Sequence, residues 1–590
     1  MDRRLDTFLD QLPKAHDHED ALGVLAAVAQ HIAEQAEVGA PQALADVAVS
    51  TEPAVLEACG ELADDLCTPD LLGLTWERLM AADQRRTHGA HFTPRQLADQ
   101  VVALTLDGRS VKSLPAKIWD PAAGGGAFLL AAGRAIEERF GCDRGDVVKM
   151  LYASDVDSLA LRVCDASLEL WAGGRARPQL CEGDSLLDLP AAWPTDFELV
   201  VGNPPFLGQL TSDTARTHKD SERLKERYGS LAGGYVDQAG LFLELGLNHL
   251  GPDGALGFVL PQSLLGSADG EPVRASAQRQ ARLRSLWIDD EGSFDASVEV
   301  VAVVMEAVEQ SQDTGTVDVV TGEAASICVP APAAHSWAPL LAAGQGVPVV
   351  SVPQGSELLS EVASATAGFR QHFYGIADAI VEASDAEESN VGDRAQLMTA
   401  GTIDPLASLW ASRPVKFAGT KWHAPVLVPD HIEDPAVRQW FADRRVPKLL
   451  LASQTAVLEV VVDPVGEMVP SVPVVSIEPT DPKMLWHLAA AITSPTVCAL
   501  LLTHAAGTGL SASAIRVQAK AIGSIRLPLP SAAWDIAAAE AERAQVAWAR
   551  GDHDGHMDAL TNLAVAMGEA YGEGGRLVNW WLERLPKRRT

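Results

Sequence analysis

Cysteine is scarce in this chain of 590 residues, and aromatic side chains make up only 5% of it. The seven cysteines are odd in number and scattered, which fits reduced thiols and predicts neither a disulfide framework nor a zinc site. No run of about 18 apolar residues is present to cross a membrane, and no apolar segment of a signal peptide follows the charged N-terminus. We therefore expect a cytoplasmic protein without a metal site or a membrane segment.

Positive charge is scarce too, since 46 Lys and Arg stand against 79 Asp and Glu, giving a net charge of −33. This balance argues against a protein that contacts many phosphates over its whole surface. One local cluster is basic, in contrast to the chain as a whole, and it contains Arg216, Lys219 and Arg223. Acidic residues interleave with this cluster, so a solvated helix face is the competing interpretation.

The most informative motif is Asn203-Pro204-Pro205-Phe206, which directly follows the apolar run 197–202. Two prolines cannot continue a sheet ladder, so a strand must end here in a rigid turn. Ligands of α/β sheets bind at this carboxyl end of the strands. An Asn side-chain oxygen, a fixed backbone carbonyl and an aromatic face suit an exocyclic amine on a flat ring.

A glycine-rich turn lies upstream, at Asp120-Pro121-Ala122-Ala123 followed by Gly124, Gly125 and Gly126. It follows a short apolar strand and precedes a helical stretch, the arrangement in which backbone can approach a nucleotide-type ligand. No Lys-Ser/Thr pair follows the glycines, and their spacing departs from the dinucleotide fingerprint. We interpret Asp120 as a carboxylate that meets a cationic ligand group, such as the α-amino group of a methionine moiety.

Two further acids end the next predicted strands in chain order. Asp155 follows the apolar segment that begins at Leu151, and Asp184 follows the segment that begins at Gln179. A carboxylate in the first position can bind both hydroxyls of a ribose. The second can accept from the amino group of an adenine.

Together these motifs resemble those of the S-adenosylmethionine-dependent N6-adenine DNA methyltransferases, in the gamma arrangement. There the cofactor motif precedes the catalytic motif, and target recognition follows both. The segment from Gly89 to Pro94 also resembles this family's Gly-x-x-Tyr-Thr-Pro element. The resemblance covers about residues 85–310 and departs in the cofactor turn, where Ala123 and Gly125 replace the commoner Cys and Ser.

The resemblance implies a role for each motif. S-adenosylmethionine would be the cofactor, with the turn from Asp120 through Pro121, Ala122, Gly124 and Gly126 around its methionine part. Phe92 and Thr93 would close over that part, while Asp155 and Asp184 would bind the ribose and the adenine. The catalytic residues implied are Asn203, Pro204, Pro205 and Phe206, and the implied substrate is double-stranded DNA.

We predict an α/β fold, a doubly wound Rossmann-like methyltransferase sheet between an N-terminal helical region and a C-terminal target-recognition region. The predicted borders are 1–84 for the helical region, 85–310 for the catalytic domain, 320–530 for target recognition and 531–590 for a helical tail. Basic and aromatic residues mix in the third segment, where Lys421 and Trp422 are candidates for DNA contacts.

Three function classes remain open from sequence. The first is a modification methylase of a restriction–modification or phage-defence system. The second acts on another planar amine or amide, in RNA or in protein glutamine, and the third is a non-catalytic DNA-recognition subunit that keeps the fold. Neither a nuclease cluster nor a helicase P-loop is recognisable, so a separate endonuclease or defence subunit would perform any restriction.

Overall fold

The computed structural model describes residues 3–13, 18–79, 93–206, 218–233, 237–289, 299–308, 315–322, 325–348, 350, 357–367, 375–388, 393–452, 454–505, 515–516 and 519–586. By its internal contacts the chain divides into two compact units, Met1–Gly344 and Gln345–Thr590.

The first unit combines helices with one large sheet. Its helices are α1 (Arg3–Gln11), α2 (His18–Gln35), α3 (Pro53–Glu61), α4 (Asp70–Leu79), α5 (Arg95–Gly108), α6 (Ala127–Phe140), α7 (Arg144–Val148), α8 (Ser158–Trp171), α9 (His218–Tyr228), α10 (Gln238–Asn248), α11 (Ser263–Gly266), α12 (Glu271–Gln280) and α13 (Ala338–Gly344). Its strands are β1 (Ile118–Asp120), β2 (Leu151–Asp155), β3 (Gln179–Glu182), β4 (Phe197–Gly202), β5 (Leu250–Pro261), β6 (Ala281–Ile288), β7 (Val300–Ala307), β8 (Thr316–Thr321) and β9 (Ala325–Pro330).

The nine strands form one sheet in the order β3-β2-β1-β4-β5-β7-β6-β8-β9. The first five in this order are parallel to their neighbours, whereas β7 runs antiparallel to both β5 and β6. The predicted α/β methyltransferase fold class is confirmed, and the antiparallel β7 makes the sheet mixed. Because the chain runs outward from β1 to β3 and returns to β4 beside β1, the order reverses at β1/β4, where α/β sheets bind ligands.

The inner parallel strands β1, β2, β4 and β5 are largely buried, as their apolar runs predict, whereas the edge strand β3 is mostly exposed. Trp119 in β1 is fully buried, and its ring stacks on Phe197 of β4 at a centroid distance of 5.0 Å. This packing holds β1 and β4 side by side and so fixes the spacing of their carboxyl ends.

The N-terminal helices share a hydrophobic core with α8, which follows β2. Leu25, Val28 and Ile32 recur at helical spacing on α2, and all three are buried. Leu159 and Val163 of α8 belong to the same core. The helical region is therefore packed against the sheet-bearing part of this unit.

The second unit contains several small sheets and a helical end. Its helices are α14 (Leu359–Val362), α15 (Ala383–Glu388), α16 (Pro435–Asp443), α17 (Leu485–Thr493), α18 (Pro495–Ala505), α19 (Ala519–Gly523), α20 (Ala532–Ala549), α21 (His553–Ala570) and α22 (Val578–Arg584). Its strands are β10 (Ala363–Ala367), β11 (Ile380–Glu382), β12 (Ala395–Met398), β13 (Ile403–Asp404), β14 (Ala407–Ser408), β15 (Val415–Phe417), β16 (Thr420–Trp422), β17 (Pro425–Leu427), β18 (Lys448–Ala452), β19 (Gln454–Thr455), β20 (Glu459–Asp463), β21 (Met468–Pro470), β22 (Val475–Pro479) and β23 (Ile515–Arg516).

Two four-stranded sheets, β10-β22-β18-β20 and β11-β17-β12-β21, organise this unit. An ion pair lies inside the first, where Lys448 Nζ is 2.5 Å from Asp463 Oδ2 and the side chains are 0% and 1% exposed. Asp463 also accepts from the backbone N–H groups of Gly466, Glu467 and Met468. The carboxylate therefore ties the turn after β20 to β18.

No single helix among the described residues is long and apolar enough to span a membrane. Pro482–Thr493 and Pro495–His504 pass that test as a pair, but they are bent by 60° at the break between them. Their apolar side chains are mostly buried inside the unit.

Candidate active site

Asn203 stands where β4 ends, one residue beyond Gly202. Its side chain is half-buried, and its Nδ2 donates to Thr93 Oγ1 over 3.0 Å. Its Oδ1 is screened from solvent and has no hydrogen-bond partner among the described residues. Phe206, three residues on, is 9% exposed. The turn therefore carries an acceptor oxygen that no described protein donor satisfies.

The glycine turn after β1 depends on two left-handed residues, Gly124 with φ 50° and Gly126 with φ 90°. Residues that carry a Cβ are strained at such backbone angles, whereas glycine adopts them readily. Gly126 is the N-cap of α6 and offers no side chain to it. The predicted strand, glycine turn and helix are thus present in the order that the sequence indicates.

Asp120 at the end of β1 lies directly against the end of β4. A Cβ added to Gly202 would be 2.6 Å from Asp120 Oδ1, so the glycine leaves room for that carboxyl. Asp120 is 1% exposed, and its Oδ1 accepts from the Ala122 N–H at 3.0 Å. Burial raises the pKa of the Asp120 carboxyl to about 8. The cofactor and catalytic motifs of the sequence therefore meet in space.

Asp155 at the end of β2 bridges the glycine turn and the turn into α8. Its Oδ2 accepts from Gly124 N and its Oδ1 from Asp157 N, both at 2.9 Å. Burial raises the pKa of this carboxyl above its ordinary value, although the two N–H donors favour its charged form. Asp157 in turn caps α8 by accepting from Leu159 N at 2.8 Å.

Asp184 follows β3 by two residues and accepts from Leu186 N at 3.0 Å. The N–H of Gly183 beside it donates to the carbonyl of Asp155, so the ends of β2 and β3 are joined. Three acids at three neighbouring strand ends can receive a ligand that carries a cation, hydroxyl groups and an amine.

A hydroxyl network behind these acids escaped the sequence reasoning. Ser185 Oγ donates to the Pro121 carbonyl at 2.6 Å and lies 2.9 Å from Ser154 Oγ. Ser154 Oγ also accepts from Trp119 Nε1 at 2.9 Å. The network links β1, β2, the glycine turn and the loop after β3, but isolated serines gave no signal of it in the sequence.

A contact between two glycines was also not predicted from the sequence. A Cβ on Gly125 would lie 2.6 Å from Cα of Gly73, which belongs to α4. The outer side of the glycine turn thus rests on the backbone of an N-terminal helix. The contact joins residues 52 positions apart, and nothing local in either segment predicts it.

Not every predicted contact residue falls inside the described part of the chain. Phe92 and Arg216 lie outside the described residues, and Lys219 is described only as part of α9, without its side chain. Arg223 Nη2 is 2.6 Å from Asp188 Oδ1, so a carboxylate of the chain itself already pairs with this predicted phosphate contact. The part of the chain that the structure describes contains no group of three or more His, Cys, Asp or Glu suited to a metal ion.

Lys421 and Trp422 lie on β16 in the second unit. The Lys421 side chain is exposed, whereas Trp422 is half-buried and donates from Nε1 to the Phe417 carbonyl at 3.3 Å. Its ring packs on the core around Leu427 and Phe441. Of the two candidates, the lysine is therefore the one exposed to solvent.

Part of this chain is similar to known DNA methylases. Residues 68–277, about a third of the chain, match the family model described as N-6 DNA Methylase. Over 215 residues the chain is 26% identical to the Type II methyltransferase M.XhoI of Xanthomonas vasicola, a match of 33% of this chain and 37% of that protein. The chain thus spans well under half the length of that curated relative.

Two solved structures share the fold over longer stretches. The Type IIL restriction-modification enzyme MmeI, solved in complex with DNA, matches with a TM-score of 0.59 and 12% identity over 98% of both chains. The DrdV–DNA complex matches with a TM-score of 0.50 and 12% identity, over 84% of this chain and 61% of that one. At this identity the likeness concerns the fold alone.

Proposed function

We propose that this chain, whose residues 68–277 match the N-6 DNA Methylase family model, methylates the N6 amine of adenine in specific sequences of double-stranded DNA. It would do so as a modification enzyme of a restriction–modification or phage-defence system, with any endonuclease supplied by another subunit. The observation that carries the proposal is the Oδ1 of Asn203, which has no hydrogen-bond partner among the described residues and belongs to the residue after Gly202, whose Cα lies against the Asp120 carboxyl.

The N6 amine of adenine is a weak nucleophile because its lone pair is delocalised into the ring. Asn203 Oδ1 and the Pro204 carbonyl would accept its two hydrogens and draw the nitrogen towards tetrahedral geometry. The same acceptors stabilise the positive charge that develops on nitrogen, an effect of up to about 3–4 kcal/mol per group. The base must leave the duplex first, at a cost of a few kcal/mol, and Phe206 offers it a stacking surface. The methylated amine can then release its proton to water, so no strong base is needed.

S-adenosylmethionine, the donor that the family implies, supplies an electrophilic methyl group on a sulfonium. The residues present fit its parts, because acids end three neighbouring strands and a glycine turn leaves room for close approach. Asp120, Pro121, Ala122 and the turn glycines would hold the methionine part. Asp155 would bind the ribose hydroxyls, and Asp184 the adenine amino group.

The decisive measurement is methyl transfer from labelled S-adenosylmethionine to duplex DNA of mixed sequence, with N6-methyladenine identified by mass spectrometry. We expect Asn203→Ala to lower turnover at least a hundredfold while leaving the Kd for the methyl donor near normal. Near-native methylation by Asn203→Ala would refute the mechanism. Methylation of RNA or of protein glutamine in place of DNA, or donor binding without turnover, would favour the competing functions.

DNA contact is the second part of the proposal, and a hairpin of the second unit supports it. β15 and β16 are joined by Ala418 and Gly419, whose φ values are 49° and 84°. Lys416 and Lys421 lie directly opposite each other in its register, and both are exposed. Like charges so placed are destabilising. Within the described residues neither lysine forms an ion pair, although the chain has many more acids than bases.

Such an unneutralised pair suits the phosphates of a DNA backbone. Replacing both lysines by glutamine should weaken binding about equally on all duplex sequences, since phosphates carry no base identity. The slope of log K against log salt should become shallower by about 1.8, because two phosphate contacts are lost. The matched control is Lys483→Gln with Lys520→Gln, two exposed lysines of the same unit. An unchanged slope in the hairpin variant, or the same change in the control, would contradict this assignment.

A further inference from the structure

Within the described part of the chain, the side-chain group that accepts a hydrogen bond from the Asn203 amide is the hydroxyl of Thr93. Thr93 is 7% exposed and lies two residues before the start of α5. It joins Asn203 across 110 positions of sequence, from the segment that precedes the cofactor turn to the segment that follows β4. The family resemblance assigns this threonine to the cofactor, but its Oγ1 here contacts the catalytic turn.

We propose that Thr93 is a positioning residue that acts through Asn203, holding the amide so that Oδ1 remains available to the substrate amine. This inference rests on the proposed methyltransferase function. An Asn side chain has one acceptor oxygen and two N–H donors. With Nδ2 engaged at 3.0 Å by Thr93 Oγ1, the remaining acceptor is the atom without a described partner.

The contact also changes how well that oxygen accepts. When an amide N–H donates, the electron density on its own oxygen rises, so hydrogen bonds at the two ends of the amide strengthen each other. The effect grows in a site shielded from water, such as that around the buried Thr93 hydroxyl. Thr93 would thus both restrict rotation of the Asn203 amide and strengthen its Oδ1 as an acceptor.

The role predicts a division between rate and binding. Thr93→Val keeps the shape of the side chain and removes the hydroxyl. We expect it to lower kcat about tenfold, the fold-change for one lost hydrogen bond at its upper range. KM for DNA and the Kd for S-adenosylmethionine should stay within about twofold of the wild-type values. Thr93→Ser, which retains the hydroxyl, should restore most of the rate.

A double-mutant cycle tests whether the effect passes through Asn203. In an Asn203→Ala background, Thr93→Val should cause no further loss, because the partner is already gone. The matched control is Thr105→Val, which removes a buried hydroxyl on α5, the helix that follows Thr93; this hydroxyl donates to the Val101 carbonyl. It should lower stability and leave kcat unchanged.

The outcomes separate this inference from the proposed function. A wild-type chain that methylates no DNA, RNA or protein would overturn both. A wild-type chain that methylates DNA, combined with an unchanged kcat in Thr93→Val, would overturn the inference alone. So would a raised Kd for S-adenosylmethionine with normal kcat, an additive loss in the cycle, or an equal loss of kcat in Thr105→Val.

Discussion

We predict that the buried Asp120 carboxyl makes binding of S-adenosylmethionine depend on pH. Burial raises its pKa to about 8, so it is mostly protonated at neutral pH in the free protein. A cationic α-amino group would bind the ionised form. The folded protein must then lose a proton to bind, and the affinity must rise as pH rises towards 8.

The size of the effect follows from that pKa. Between pH 6 and pH 7 the ionised fraction of Asp120 rises from about 1% to about 9%. The Kd for S-adenosylmethionine should therefore fall about ninefold over this unit, close to 1.3 kcal/mol. The interval lies below the usual pKa of an α-amino group, about 7.7–8.0, so the ligand stays mostly cationic.

Titration calorimetry at pH 6.0, 6.5 and 7.0 measures this dependence directly. Repeating it in buffers with different heats of ionisation should reveal nearly one proton released for each donor bound. Asp120→Asn should bind more weakly, with a Kd that hardly changes with pH. Asp155→Asn serves as the control: its Kd should still fall as pH rises, although less steeply, because the Asp155 charge helps to raise the pKa of Asp120. A flat wild-type profile, or the same slope in Asp120→Asn, would refute the reasoning.

Three further substitutions have expected outcomes. Asp155→Ala should raise the Kd for the donor at least about tenfold, because charge-assisted hydrogen bonds are worth about 1.5–3 kcal/mol; unchanged calorimetric affinity would remove the ribose assignment. Gly257→Ala should destabilise the first unit by about 1–3 kcal/mol in chemical denaturation, since its methyl group would overlap the buried Thr105 hydroxyl, and a stable variant would show that α5 can move. Lys448→Ala should lower the free energy of unfolding by about 3 kcal/mol, because Asp463 would be left buried without its cation. A loss below about 1 kcal/mol would mean that the three backbone N–H donors alone stabilise the buried Asp463 carboxylate.

The sequence predicted those parts of the site that depend on local chemistry. The apolar run 197–202 gave β4 with its bounds, because two prolines must end the strand after it. The acids at positions 120, 155 and 184 lie at or just beyond the ends of β1, β2 and β3 as predicted. Parallel strands bring their carboxyl ends to one edge, so chain order alone suggested that these acids meet.

Features that join distant segments could not be predicted in this way. The Thr93–Asn203 hydrogen bond and the Gly73–Gly125 contact depend on how whole elements pack. The direction of β7 could not be predicted for a similar reason, since a buried apolar strand has the same pattern whichever way it runs. The apolar spacing of the N-terminal helices likewise predicts that they bury one face, but it does not indicate that α8 packs against that face. The four predicted domain borders stay predictions, although the family match begins at residue 68, ahead of the border at 85.

The contact between Gly73 and Gly125 bears on how chimeras of this protein should be built. Exchanging the first 84 residues with those of a relative would replace one side of a contact that admits no Cβ on Gly125. A Cβ at position 73 would lie 3.5 Å from the Gly125 carbonyl oxygen, so an imported alanine fits there, whereas an imported helix whose backbone lay closer to Gly125 would press on the glycine turn. A junction after Gly344 keeps both glycines in one parent. Grafting a foreign second unit there should therefore preserve donor binding, whereas an exchange of the N-terminal helices should preserve it only if the new helix keeps its backbone in the same place against Gly125.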